Sequence, residues 1–282
     1  MTSLSEEQFA AWRRDGFLFP FPLMDEAERQ DCLDGLARFE RWLGAPVNAS
    51  KDLKWRTMPH ITLPWVTRLA RDPRILDRIE ALIGPDILVW TSTFFIKDPH
   101  TPTIAAWHQD STDYGLEPRE EAAAWIALSD ASRAAGCMEV LSFDGAPKQM
   151  RHAAHVIEHS VNRAGQEITE PVDDSHPVAM ELDAGQFSIH HGLCLHRSGP
   201  NTADHRRIGL GLNFIPAHAR PTGALRTAAM LVRGEDRWGH FELIDPPKAE
   251  LDADAVAAHE NAVALYRETY YEQEALRAQQ YA

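Results

Sequence analysis

The chain has 282 residues, 44% of them hydrophobic, and a formal net charge of −14. That length and apolar content suffice for a large buried core, whereas an acidic surface opposes binding to nucleic acid, whose phosphates require a basic face. No apolar run approaches the ~20 residues that a membrane-crossing helix needs. The opening Met1-Thr2-Ser3-Leu4-Ser5-Glu6-Glu7 lacks the basic and apolar regions of a signal peptide. Ser5 followed by Gln8 forms a capping box for a first helix that ends near Gly16, and Phe17-Leu18-Phe19-Pro20-Phe21 reads as a short strand. Residues 25–43 and 72–84 carry apolar side chains at helical spacing. From Asp86 the signal changes to short extended runs with Gly and Pro between them. These are Ile87-Leu88-Val89-Trp90, Thr93-Phe94-Phe95-Ile96-Lys97, Ala123-Ala124-Trp125-Ile126-Ala127-Leu128, Met138-Glu139-Val140-Leu141 and Phe187-Ser188-Ile189-His190. Such a series predicts a mainly β fold with flanking helices, a double-stranded β-helix of the jelly-roll, cupin-like type. Residues 253–280 return to helical spacing, with Val256, Val263, Tyr266 and Tyr270 on one side. No internal repeat or low-complexity linker interrupts the chain, so a single domain is expected over 1–282. It comprises a helical N-terminal flank at 1–85, a jelly-roll core at 86–235 and a C-terminal helix at 250–280. Cys32, Cys137 and Cys194 are odd in number and widely spaced, the pattern of a reduced, cytoplasmic protein.

Trp107-His108-Gln109-Asp110 and Leu195-His196-Arg197-Ser198-Gly199-Pro200-Asn201 are the two strings with chemical content. Two imidazoles and one carboxylate hold a metal on one triangular face and leave the other open, as in non-heme Fe(II) oxygenases. In an extended segment residues i and i+2 point the same way, so His108 and Asp110 are expected to reach one ion from a single strand, with His196 arriving from another. After His196 comes a stretch dense in turn residues, then Arg207-Ile208-Gly209-Leu210-Gly211-Leu212-Asn213-Phe214-Ile215, which alternates as a half-buried strand does. The expected arrangement is a hairpin with His196 on the outgoing strand and Arg207 on the returning one. Arg207 then stands behind the metal as a bidentate carboxylate clamp, and Ser198 adds a hydroxyl donor. An open metal beside a carboxylate clamp points to a chelating keto-acid co-substrate.

The chain resembles the phytanoyl-CoA dioxygenase family of Fe(II)/2-oxoglutarate oxygenases. The resemblance runs over roughly residues 5 to 216. It rests on Trp107-His108-Gln109-Asp110, Ala124-Trp125-Ile126-Ala127-Leu128-Ser129-Asp130, Gly136-Cys137-Met138, Ala184-Gly185-Gln186-Phe187-Ser188-Ile189-His190-His191, His196-Arg197-Ser198-Gly199-Pro200-Asn201 and Arg207. It implies a dioxygenase that binds Fe(II) through His108, Asp110 and His196 and holds 2-oxoglutarate with Arg207 and Ser198. It also implies hydroxylation of a small organic substrate with O₂, yielding succinate and CO₂. Related halogenases carry a small residue in place of the carboxylate, so Asp110 favours hydroxylation, or a desaturation or cyclisation variant. One departure is Leu141-Ser142-Phe143-Asp144-Gly145 where the family has Pro-Gly-Ser-His; that stretch belongs to the substrate side.

Several residues admit two readings. Lys97 is a solvent-facing strand end or a second anion contact in the co-substrate pocket, and Trp125 is core or a wall of the keto-acid site. Strand alternation lets only one of Arg206 and Arg207 point inward, and the resemblance favours Arg207. His191 has the wrong parity for a ligand beside His196 and is read as a packing residue, while His152, His155, His159, His176, His205 and His240 carry no ligand spacing. Thr112, Asp113 and Tyr114 are candidates for lining the substrate site. Arg220, Arg226 and Arg233 receive a substrate anion or pair with surface acids. A zinc-dependent enzyme and a non-catalytic cupin-like small-molecule-binding protein remain as other classes. The first leaves Arg207 and Ser198 without a task, and an intact triad is unexpected in the second.

Overall fold

A computed structural model of the chain describes residues 4–50, 52–143, 145–154, 159–160 and 166–280; Met1, Thr2, Ser3, Asp144 and His155 lie outside them. Ser5 and Gln8 form the expected capping box on α1 (Glu6–Asp15), which Gly16 ends at φ +81°, a left-handed conformation that costs glycine little. Strand β1 (Phe17–Pro22) follows. Asp25 caps α2 (Glu26–Leu43) and Asp72 caps α4 (Pro73–Ile83), each accepting a backbone N–H of the first turn. Between them lies α3 (Pro64–Ala70), too short for helical periodicity to register.

The large sheet has seven strands in the order β1, β10 (Gln186–His191), β5 (Ala122–Ala127), β12 (Arg207–Pro216), β2 (Ile87–Lys97), β14 (Ala228–Arg233) and β15 (Glu242–Leu243). All neighbours are antiparallel except the last pair. The smaller sheet has four antiparallel strands, β3 (Ala105–His108), β11 (Leu195–Ser198), β6 (Met138–Leu141) and β9 (Val178–Met180). Two short ribbons complete the set, β4 (Leu116–Glu117) with β13 (Arg220–Pro221) and β7 (His152–Ala154) with β8 (Gln166–Ile168). The two runs at 87–90 and 93–97 are one continuous strand, because Thr91 and Ser92 continue the ladder as polar residues.

The two-residue period divides the large sheet into two faces. Ile208, Leu210, Leu212 and Phe214 of β12 join Ala122, Ala124 and Ile126 of β5 in one core with Leu36 and Phe39 of α2, Trp65 of α3 and Ile75 and Ile79 of α4. Each such fully buried large side chain contributes roughly 1.5–3 kcal/mol. Odd-numbered residues of β12 face the other sheet. Strand β12 is therefore buried along its whole length, not half-buried as its alternation suggested, since helices cover one face and the small sheet stands over the other.

The expected hairpin between His196 and Arg207 does not form. β11 lies in the small sheet and β12 at the centre of the large one, so residues 199–206 cross between sheets. Asn201 fixes that crossing, its Nδ2 donating to Lys97 O and Asp98 O at 3.1 Å and to His205 O at 2.9 Å. Helix α6 (Ala253–Gln280) packs beside the open end of the barrel. Its buried side includes His259, Val263 and Thr269. The His259 ring stacks on Trp55 at 4.8 Å, and its Nε2 is 2.8 Å from Thr57 O; this ties the helix to a short 3-10 turn, Leu53–Arg56.

His60 is 1% exposed, with Nδ1 2.7 Å from Ser92 Oγ, and burial pulls its imidazole down to about 3. Below pH 6.5 the unfolded chain protonates this ring while the native one does not, so stability falls as pH drops from 6.5 towards 3, by up to about 1.4 kcal/mol per pH unit. Urea unfolding at pH 7 and pH 5 is expected to show a smaller pH-dependent loss for His60→Asn than for the parent chain. An unchanged loss removes His60 as the source.

Candidate active site

His108 closes β3, and the backbone turns immediately after it. Asp110 has φ −62° and ψ −41° at the start of α5 (Ser111–Tyr114), so it reaches the ion site from a helical turn, not from the i+2 position of a continuing strand. Gln109 points away, its Nε2 donating to Lys148 O at 2.8 Å and Leu193 O at 2.7 Å. His196 of β11 pairs directly with His108 of β3, which brings the two rings to 4.0 Å between centroids.

Ligand atoms of His108, Asp110 and His196 all lie within 4.8 Å of one another. Nδ1 of His108 is 2.8 Å from Ala106 O, and Nδ1 of His196 is 3.0 Å from Cys194 O. Both Nδ1 atoms are thereby assigned as the protonated ones, which turns both Nε2 lone pairs inward. Burial lowers both imidazoles, His196 to about 3, so neither carries charge near neutrality. Burial alone would raise the Asp110 carboxyl, but in acid the surrounding His196, His190 and His108 rings take up protons first, and their charge holds it below the usual carboxylate range. Two lone pairs thus face Asp110 Oδ1 at 3.6 and 3.7 Å, an arrangement that repels unless a cation stands between them. The donor set of two nitrogens and one carboxylate oxygen fits an octahedral divalent ion with one face open.

Arg207 opens β12 on the interior face. Its Nη1 donates to Gly136 O, and its buried Nε has no partner among the described residues. No carboxylate pairs with it there. Burial draws this guanidinium down to about 10. Its plane lies over the Trp125 ring, 5.4 Å from the centroid, and Gly209 beneath makes room for that indole, since a Cβ there would run into it. Arg206 points the opposite way, to Glu40 Oε1 at 2.6 Å and Asp98 Oδ1 at 3.1 Å. Lys97 is not a solvent-facing strand end. It is 1% exposed, donates to Ser198 Oγ at 2.8 Å and to Gly199 O, and is pulled down to about 6 by burial and by Arg207. It stands behind Ser198 and does not itself line the cavity.

One cavity of about 350 Å³ connects these groups, lined by the three metal-ligand candidates and by Trp125, Ser198 and Arg207. Tyr114 lines it too, whereas Thr112 turns to Gln149, whose Nε2 is 2.7 Å from its Oγ1. Phe143, on the departing Leu141–Gly145 stretch, packs against His191 at 5.7 Å instead. Trp12 flanks that ring on another side at 5.7 Å, so His191 is held by packing. Arg220 meets Glu117, Arg226 donates to Phe241 O, and Arg233 meets Asp77 and Glu80; none of the three lines the cavity.

His190 escaped the sequence reading. It is 4% exposed, its Nε2 is 3.4 Å from Asp110 Oδ2, and its ring is 4.9 Å from that of His196. The signal was present in the alternation, because Phe187 and Ile189 face the helical core and so turn Ser188 and His190 inward. Arg56 and Arg267 also line the cavity, from elements whose position no local pattern reveals.

A family profile described as phytanoyl-CoA dioxygenase matches residues 12–209. A probable alpha-ketoglutarate-dependent hypophosphite dioxygenase of Stutzerimonas stutzeri is 26% identical over 168 residues, 58% of this chain and 57% of that protein. Human peroxisomal phytanoyl-CoA dioxygenase is 26% identical over 149 residues, 51% of this chain and 44% of that protein. The chain thus matches about half the length of these curated relatives. Among solved structures, the non-heme monooxygenase ThoJ in its apo form superposes with a TM-score of 0.81 at 30% identity, over 94% of this chain and 97% of that one. Its nickel complex gives 0.76 at 28% identity, over 94% and 98%.

Calorimetric titration with Ni(II) under reducing conditions is expected to give one tight site per chain. Asp110→Ala should weaken it by at least about 100-fold, beyond the 10–100-fold usual for an outer partner, while His191→Ala should not. Equal losses in the two variants would move the site away from the triad.

Proposed function

This chain belongs to the phytanoyl-CoA dioxygenase family, and on that premise we propose that it is an Fe(II)/2-oxoglutarate-dependent dioxygenase. It hydroxylates a small organic substrate and releases succinate and CO₂. The observation that carries this reading is Arg207, a buried guanidinium with no carboxylate partner among the described residues, opening into the same cavity as the open-faced triad. A buried cation without a counter-charge is costly, and a dicarboxylate co-substrate offsets that cost. The zinc-enzyme and non-catalytic readings supply no anion for it.

His108, Asp110 and His196 would hold Fe(II), which supplies O₂ activation coupled to oxidative decarboxylation of 2-oxoglutarate. The chain's own groups position and shield. Ala106 O and Cys194 O fix the imidazole tautomers. Arg207 takes the distal carboxylate of 2-oxoglutarate, Ser198 donates to the same oxygens, and Trp125 walls the site. Lys97 acts one step back by holding the Ser198 hydroxyl in place. A cavity of about 350 Å³ shared by co-substrate and substrate sets the scale at a small molecule, against the 300–1,000 Å³ common for drug-sized ligands. The hypophosphite named for the Stutzerimonas relative is small as well. We place the whole chain, 1–282, in one oxygenase domain, with β1 from the N-terminal flank completing the large sheet. The three buried, unpaired cysteines accord with a reducing, cytoplasmic setting.

The test is succinate release with Fe(II), 2-oxoglutarate and O₂. His108→Ala, Asp110→Ala and His196→Ala should each abolish it, and a variant that retains near-parental turnover loses its place among the ligands. Arg207→Ala should raise the KM for 2-oxoglutarate by roughly 2–5 kcal/mol, about 30-fold or more, with little change in iron content. The outward-facing Arg206→Ala should not; a large effect there and none at Arg207 defeats the clamp assignment.

A further inference from the structure

The half of the cavity remote from Arg207 takes no part in holding the co-substrate, yet it is built for a ligand. Asn213 of β12 and Thr91 of β2 are register partners that line it, with 9% and 2% exposure. Thr91 Oγ1 has no hydrogen-bond partner among the described residues, and the Asn213 side chain lines the cavity beside it. Buried polar groups are ordinarily paired, so this pair is shaped for a polar group that arrives with a ligand. Beside it, a bulge in β2 between the Thr91 and Val89 pairings brings Trp90 onto the same face. Its ring packs against Tyr114 at 4.5 Å and Tyr266 at 5.4 Å. Tyr114, Tyr266 and Tyr270 line the cavity, a set of flat apolar surfaces suited to an aromatic body.

Charge decides the remaining feature. The chain carries a net −14, yet four arginines line this cavity against Asp110 as its one carboxylate. Arg207 belongs to the co-substrate, and Arg197 is held by Glu139 at 2.8 Å and Asp174 at 2.9 Å. The other two are Arg56, half-buried on the 3-10 turn with contacts of its own, and Arg267, exposed on α6. Arg267 is 4.0 Å from Asp52, whose carboxylate Lys54 already holds at 3.2 Å. Resting on the reading of the inner end given above, we propose that the outer half binds an aromatic carboxylic acid as substrate. Its carboxylate lies against Arg56 and Arg267, its ring against the tyrosines, and a hydrogen-bonding substituent reaches Asn213 and Thr91.

The test uses the full chain loaded with Ni(II) and 2-oxoglutarate, titrated calorimetrically with phenylacetate, 3-phenylpropanoate and indole-3-acetate, each beside its primary amide. At least one acid should bind about tenfold or more tightly than its amide. Arg56→Ala and Arg267→Ala should each remove most of that preference by weakening the acid. Arg267 is exposed on α6, so its replacement leaves the core intact and keeps the test decisive if Arg56→Ala fails to fold. Equal binding of acids and amides, no binding by any acid, or a preference that survives Arg267→Ala overturns the proposal. Loading with 2-oxoglutarate, read in the same cell before the probe is added, depends on Arg207. Either result can fail without the other.

Discussion

Strand β12 is hydrogen-bonded on both edges, to β2 and to β5, and buried on both faces. Its two-residue period is the constraint from which the rest follows. Even-numbered positions supply Ile208, Leu210, Leu212 and Phe214 to the core beneath the helices. Odd-numbered positions set Arg207, Gly209, Gly211 and Asn213 in a row facing the small sheet. A one-residue slip would exchange these sets, burying the guanidinium among leucines and turning the apolar row into the cavity. Register and chemistry are therefore specified together, and the apolar face that fixes one fixes the other.

The second constraint is electrostatic. Arg207 and Lys97 are withdrawn from water side by side, with the half-buried Asp110 on the same cavity as Arg207, and no carboxylate pairs with either cation among the described residues. Asp110 faces imidazole lone pairs, Arg207 meets a backbone carbonyl, and Lys97 meets a hydroxyl and a carbonyl. Such an interior is less stable by itself than one filled with hydrocarbon. It is held in place by the surrounding pairing and capping, and a cation and a dianion would complete it.

Much of this was legible in the sequence. Caps, strand alternation and helical spacing announced α1, β1, α2, α4, β5, β6, β10 and α6 nearly to the residue, because each rests on interactions within a few positions. The hairpin expected between His196 and Arg207 was not found, since no local rule says which sheet a strand joins once a turn-rich segment is long enough to cross between them. His108 and Asp110 converge as expected but through a strand end followed by a helical turn. His190 was passed over for His191, although the apolar alternation at Phe187 and Ile189 gives its side. Lys97 misled through composition, because a lysine ending an apolar strand usually meets water. Arg56 and Arg267 had no signature at all, and only the tertiary fold assembles them, whereas the side of Asn213 follows from Arg207 by the two-residue period.

The wall of the cavity opposite the barrel comes from α6 and the 3-10 turn at Leu53–Arg56, joined by the stack of His259 on Trp55. None of these residues belongs to a strand of either sheet. The molecule is thus divided into a two-sheet vessel, whose geometry is locked by ladders of backbone hydrogen bonds, and a lid-side cassette outside those ladders, joined to β2 next to the 3-10 turn by the Thr57–Thr93 bridge. Variation in the cassette leaves the vessel's hydrogen-bonded frame untouched. Substitutions on one helix can therefore change what the cavity admits, while the ladder that positions His108 and His196 stays still.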